Sequence, residues 1–250
     1  MRKVFAATLT LGLIFGAQPV MAVRGVALKS WTVCQGLLEA KTAGREVSLK
    51  FCNFKGRDLT QLPEGAFIGV NLSGADLRGA NLSGMDLSNA IIRGARLNIA
   101  NLSGATLVGA VFSGNRRFRA SNLAGANFNS ADLRGTNLSR VNLEGAKMNE
   151  AILSDAILRR ANLTIADLRS AQLDGAILVN AKMNGTNLSL ADLTLAELDG
   201  AELWAADLSY AILRGASFRG ANLLYASLDM AEMDGADLTG ATMPDGVVME

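Results

Sequence analysis

Leucine recurs at every fifth position through the stretch "ADLRGANLSGMDLSNA", at Leu77, Leu82 and Leu87, with Ala or Met two places before each and polar residues between. A helix advances about 100° per residue, so a step of five turns each leucine by about 140° and no apolar stripe forms. A flat strand alternates faces with period two and sends successive leucines to opposite sides. The pattern therefore predicts a chain that turns a corner every five residues and coils, with every fifth side chain aimed at a common axis.

The period persists. From 121 to 245 the chain divides into 25 gapless blocks of five, whose centre is Leu, Phe or Met throughout and whose residue two before the centre is Ala in 21. Nine earlier blocks run from Leu72 to Phe112. One buried Leu contributes about 1.5–3 kcal/mol, against about 1–2 kcal/mol of backbone entropy for each of five residues. No block holds itself, so stability must come from coil stacking on coil. "ADLRG" at 75–79 and 131–135 and "ANLSG" at 80–84 resemble the A(D/N)LXX pattern of the pentapeptide-repeat family. The resemblance implies an all-β fold, a right-handed quadrilateral β-helix, with the central Leu or Phe and the small residue two before it facing inward. Four blocks per coil would then give about nine coils and a rod of about 43 Å.

Two irregularities stand out. Leu59 and Phe67 are eight apart, with "QLPEG" lifted out between them. Phe112 and Phe118 are six apart, which makes Asn115 a single extra residue, restores the phase at Phe118 and creates a basic bulge of Arg116, Arg117 and Arg119. Arg116 falls where the repeat places Ala.

The ends differ from the repeats. Arg2 and Lys3, an apolar run from Val4 to Phe15 and small residues up to Ala22 read as a signal peptide over 1–22. No later stretch is long and apolar enough to span a bilayer. Residues 23–51, with "VCQGLLEAK", read as an N-terminal cap containing a short helix; 52–245 are repeats, and 246–250 form a tail in which Val247, Val248 and Met249 can cover the last coil. Cys34 and Cys52 fit either one disulfide, favoured by export, or two buried thiols.

Candidate chemistry is sparse. The absence of histidine excludes His-based triads and His metal sites. Glu232, Asp234 and Asp237 lack the spacing of a calcium loop or an acid–base pair in a cleft. The N-x-S/T triplets at Asn71, Asn81, Asn101, Asn137, Asn162 and Asn187 are by-products of the repeat. No cofactor or metal is expected. Charge is polarised: residues 23–119 carry 13 basic and 6 acidic side chains, whereas 190–250 carry 2 and 11. At outward positions Leu190, Tyr210 and Met230 recur at intervals of 20, as do Trp204 and Leu224 with Tyr225 adjoining, and these six predict one continuous apolar stripe.

The expectation is an exported, non-enzymatic protein-binding or scaffold module, in a periplasm or thylakoid lumen or secreted. Its partner is another protein or a second copy, with nucleic acid disfavoured. The alternative comes from the family resemblance: acidic rods that imitate DNA and bind gyrase, conferring quinolone resistance. An ice-binding face would need a file of Thr or Ser that is not present.

Overall fold

The computed structural model describes residues 22–23 and 26–250. The leader expected over 1–22 lies outside them except for Ala22. Two short strands, β1 (Ala22–Val23) and β2 (Val26–Ala27), pair antiparallel. They are followed by α1 (Trp31–Thr42), which starts where the Ser30 side chain accepts a hydrogen bond from Val33 N–H. Cys34 and Leu38 on α1 are buried against the first coil, where Cys34 is disulfide-bonded to Cys52.

From Ser48 onward the chain pairs with itself in parallel, quintet over quintet. The regular step between paired residues is 20: Asp132 with Ile152, Ile152 with Gln172, Gln172 with Asp192. Four quintets therefore make one turn. Each coil is tied to the next by bonds of the kind Leu133 N–H to Ile152 O (2.7 Å) and Ile152 N–H to Ala131 O (2.9 Å). This ladder satisfies the backbone of a fold that contains almost no long strands. The central leucines stack on one another, at most 1% exposed, from Leu49 to Leu223.

The sequence preferences follow from this geometry. Where Asp or Asn precedes the centre, its carboxylate or amide oxygen accepts from the backbone N–H two residues on, as in Ser73 N–H to Asn71 (3.0 Å) and Thr194 N–H to Asp192 (2.9 Å). It closes the corner locally, an Asx turn repeated along the rod. Asn81, Asn101, Asn137, Asn162 and Asn187 are engaged in the same way, so the N-x-S/T triplets are corner chemistry. Amides also chain between coils, Asn127 to Asn101 (3.2 Å) and Asn101 to Asn81 (3.1 Å).

The first irregularity is as read: across "QLPEG" the step is 23, Asn53 with Asp76 and Asp58 with Asn81. The second is not. Across 113–120 the step is 26, Arg96 with Asn122 and Val111 with Asn137. Six residues leave the ladder rather than one, and Phe118 is not a repeat centre. The cause is Arg116, whose place in the quintet is the inward site of the small residue. Sealing a guanidinium in the core costs several kcal/mol, so the chain extrudes the whole quintet instead. Ser121, Thr136 and Thr186 occupy the same inward site without ejection because each hydroxyl reaches a carbonyl, Thr186 that of Leu163 at 2.8 Å.

A few aspartates on the rod are held charged by the groups beside them. Burial alone would raise the Asp76 carboxyl, but the hydrogen bond from Arg78 and the charge of Arg96, at 2.7 and 2.9 Å, leave it below its ordinary value. Arg134 lowers Asp132 and Arg169 lowers Asp167; the Thr239 hydroxyl and backbone N–H, with Arg219, bring Asp237 to about 2. Folded values below unfolded ones stabilise the fold above pH about 4, and that contribution fades as pH falls toward about 2. The melting temperature should be flat from pH 7 to about 5 and drop below about 4. Circular dichroism melts check this, and Asp76→Asn should flatten part of the drop.

Candidate interaction surface

The six apolar residues singled out in the sequence lie at two successive corners of the coil. Each quintet ends at a corner, where a residue two after the centre adopts a left-handed conformation. Leu190, Tyr210 and Met230 do so with φ of 62°, 60° and 58°, stacked in successive coils at one corner and 61%, 58% and 75% exposed. Trp204 and Tyr225 belong to the preceding corner. Their rings meet edge to face at 6.2 Å, with Leu224 half-buried beside them. The side between the two corners is polar: Ser209 donates to Asp207 (2.6 Å) and its hydroxyl contacts that of Ser227 (2.8 Å). A shared phase of 20 reveals which residues stack but not how far one corner lies from the next.

The repeat centres lose their full burial only in the C-terminal coil. Leu208, Leu213 and Phe218 donate their N–H groups to Ser227, Glu232 and Asp237 in the coil above. Among the described residues, the N–H groups of Leu228, Met233 and Leu238 reach no backbone carbonyl, and these centres are only half-buried. The tail covers one side alone: Thr242 pairs antiparallel with Val248, and Gly240 donates to Met249 (2.8 Å). Val247 and Val248 remain 57% and 59% exposed, so the expected cover is partial. The end that is left open is also the acidic one, since Arg214 and Arg219, the two cations of 190–250, are paired to Glu232 and Asp237 at 2.5 and 2.9 Å.

Arg116, Arg117 and Arg119 all lie exposed in the extruded segment, far along the chain from this end. Glu232, Asp234 and Asp237 stay on the outer surface of the last coil, and Glu232 and Asp237 are engaged by those two arginines. Among the described residues no helix is long and apolar enough to cross a membrane, and no cluster of His, Cys, Asp and Glu is arranged to hold a metal.

A family model described as pentapeptide repeats matches the chain in eight copies, over residues 67–104, 117–149, 142–180, 171–203 and 196–240. Among solved structures, the chain is 31% identical to HetL, a pentapeptide repeat protein involved in heterocyst differentiation regulation from the cyanobacterium Nostoc sp. strain PCC 7120. That likeness covers 84% of this chain and 97% of HetL, with a TM-score of 0.33. It is 20% identical to QnrB1, a plasmid-mediated fluoroquinolone resistance protein, over 77% of this chain and 89% of that one, with a TM-score of 0.48. A pentapeptide repeat protein from the Arabidopsis thaliana thylakoid lumen is 33% identical over 43% of this chain and 70% of that one, with a TM-score of 0.24. No curated protein matches.

Proposed function

Because the chain belongs to the pentapeptide-repeat family, we propose that it performs no chemistry and acts as an exported rod that binds another protein through its acidic C-terminal quarter. The observation that carries this reading is the Trp204–Tyr225 pair, two large aromatic side chains in mutual contact and 47% and 67% exposed, next to a coil left open on three sides. Aromatic anchors ringed by charge are what a protein interface uses, and unpaired N–H groups on the last coil can accept an extended partner segment by strand addition. The net charge of −9 over 190–250 selects a partner with a basic rim.

In the same reading the coil winds right-handed and α1 is the lid of the N-terminal end, supported by its buried Cys34 and Leu38. Export rests on the leader composition of residues 1–22. Imitation of DNA toward gyrase is the weaker reading, because it calls for negative charge along the whole rod and residues 23–119 carry a net +7.

The test is the double variant Trp204→Ser, Tyr225→Ser, assayed by affinity capture from the cell-envelope fraction and by light scattering. The expected result is loss of capture, or of a self-associated species, with an unchanged circular dichroism melt. Capture and mass both equal to the parent would overturn the interface.

A further inference from the structure

The extruded segment is not an isolated knuckle. It lies at the corner that, one and two coils further on, carries Arg140 and Arg160 in the left-handed conformation, with φ of 60° and 56°. Bulky residues are strained there, and the corner is otherwise commonly glycine. Between this segment and the coil wall is a cleft of about 730 Å³ that includes Phe51, Arg96, Arg117, Phe118, Arg119 and Arg140 in its lining. It adjoins a second cleft of about 410 Å³ through the shared Arg140, and Arg159 and Arg160 line that one.

The floor of the larger cleft is built rather than accidental. The rings of Phe51 and Phe118 lie 5.9 Å apart, drawn from opposite sides of two coils. Each rests over a glycine. A Cβ on Gly74 would come within 2.5 Å of the Phe51 ring, and one on Gly94 within 3.3 Å of Phe118. The walls are cationic: Arg117, Arg119 and Arg140 have no carboxylate partner among the described residues, whereas other arginines of the rod, such as Arg78, Arg134, Arg169 and Arg214, are each paired to one. Arg96 is held by Asp76 through one terminal nitrogen, while its Nε is buried without an acceptor.

We propose that this cleft binds a small organic anion with a flat ring, the ring lying on Phe51 and Phe118 and the acid group held by Arg119 and Arg140. The volume is that of a small-molecule site, and an apolar floor with a few converging polar groups is the usual composition of one. Guanidinium groups suit carboxylate and phosphate oxygens through paired N–H donors. The segment is ejected from the coil because Arg116 cannot be buried, and what it forms outside is an arginine-lined cleft. The site is remote from the C-terminal patch, and it stands or falls independently of the proposed interface.

The test is calorimetric titration of the full chain with phenyl phosphate, and with inorganic phosphate and phenol as its two halves. The expected result is saturable one-to-one binding of phenyl phosphate, about tenfold or more tighter than either half. Arg119→Gln and Arg140→Gln should each weaken it by about tenfold, since both side chains are exposed and unpaired and their loss leaves the melt unchanged. Phe118→Ala should weaken it while sparing inorganic phosphate, and the distant Arg214→Gln should leave it unaltered. The proposal is overturned if phenyl phosphate does not saturate, if inorganic phosphate binds as tightly, or if both arginine variants bind like the parent.

Discussion

Ala131→Arg is expected to cost about 4 kcal/mol or more of unfolding free energy, whereas Ala131→Ser costs about 1 kcal/mol. Ala131 has no solvent exposure and occupies the inward small site of a quintet, with its carbonyl accepting from Ile152 N–H in the next coil. The protein itself contains both outcomes. Thr136 and Thr186 show that a hydroxyl fits at this site when a carbonyl is in reach. Arg116 shows that a guanidinium does not, since six residues leave the ladder around it. At Ala131 ejection would also break the pairing of Asp132 with Thr106 and Ile152, and no extra length is available to form a loop. Denaturant unfolding followed by circular dichroism measures the difference. A midpoint for Ala131→Arg equal to that of Ala131→Ser would show that the small site tolerates charge, and the account of the extruded segment would fail with it.

The period of five made the coil and its inward residues legible, because one quintet repeated over most of the chain encodes the same corner each time. The shape of the 113–120 segment was not legible from that period. Phe118 stands in phase and has the size of a repeat centre, so a count of spacings accepts it; the veto comes from Arg116 two places earlier, through burial energy and not spacing. The same limit holds for the six outward apolar residues. Stacking along the axis is a sequence property with step 20, seen in Leu190, Tyr210 and Met230, but the distance from the Trp204 corner to the Tyr210 corner depends on the width of a side and on the polar file of Asp207, Ser209 and Ser227. The cleft was hidden for a further reason. It brings Phe51 to Phe118 and Arg140, residues that meet only because the coil returns to the same corner.

Removing the disulfide with Cys34→Ser and Cys52→Ser is expected to lower the stability of the N-terminal end by about 3 kcal/mol, the entropy of a closed loop of this length. A helix of 12 residues is marginal on its own, and α1 stays docked through few side chains, with Cys34 and Leu38 buried. Because the backbone of each coil pairs only with its neighbours, the loss should be local and should fade along the rod. The two tryptophans stand at opposite ends and report this directly. Trp31 packs edge-on against Phe54 at 6.0 Å under the Arg57 guanidinium, while Trp204 lies beside Tyr225. In single-tryptophan variants made with Trp204→Phe or Trp31→Phe, removing the bridge should shift the Trp31 unfolding midpoint strongly and the Trp204 midpoint weakly. Equal shifts at both ends would mean that the rod unfolds as one unit and refute local coupling. No shift at either end would mean that α1 is held by packing alone and that the bridge adds nothing to the fold.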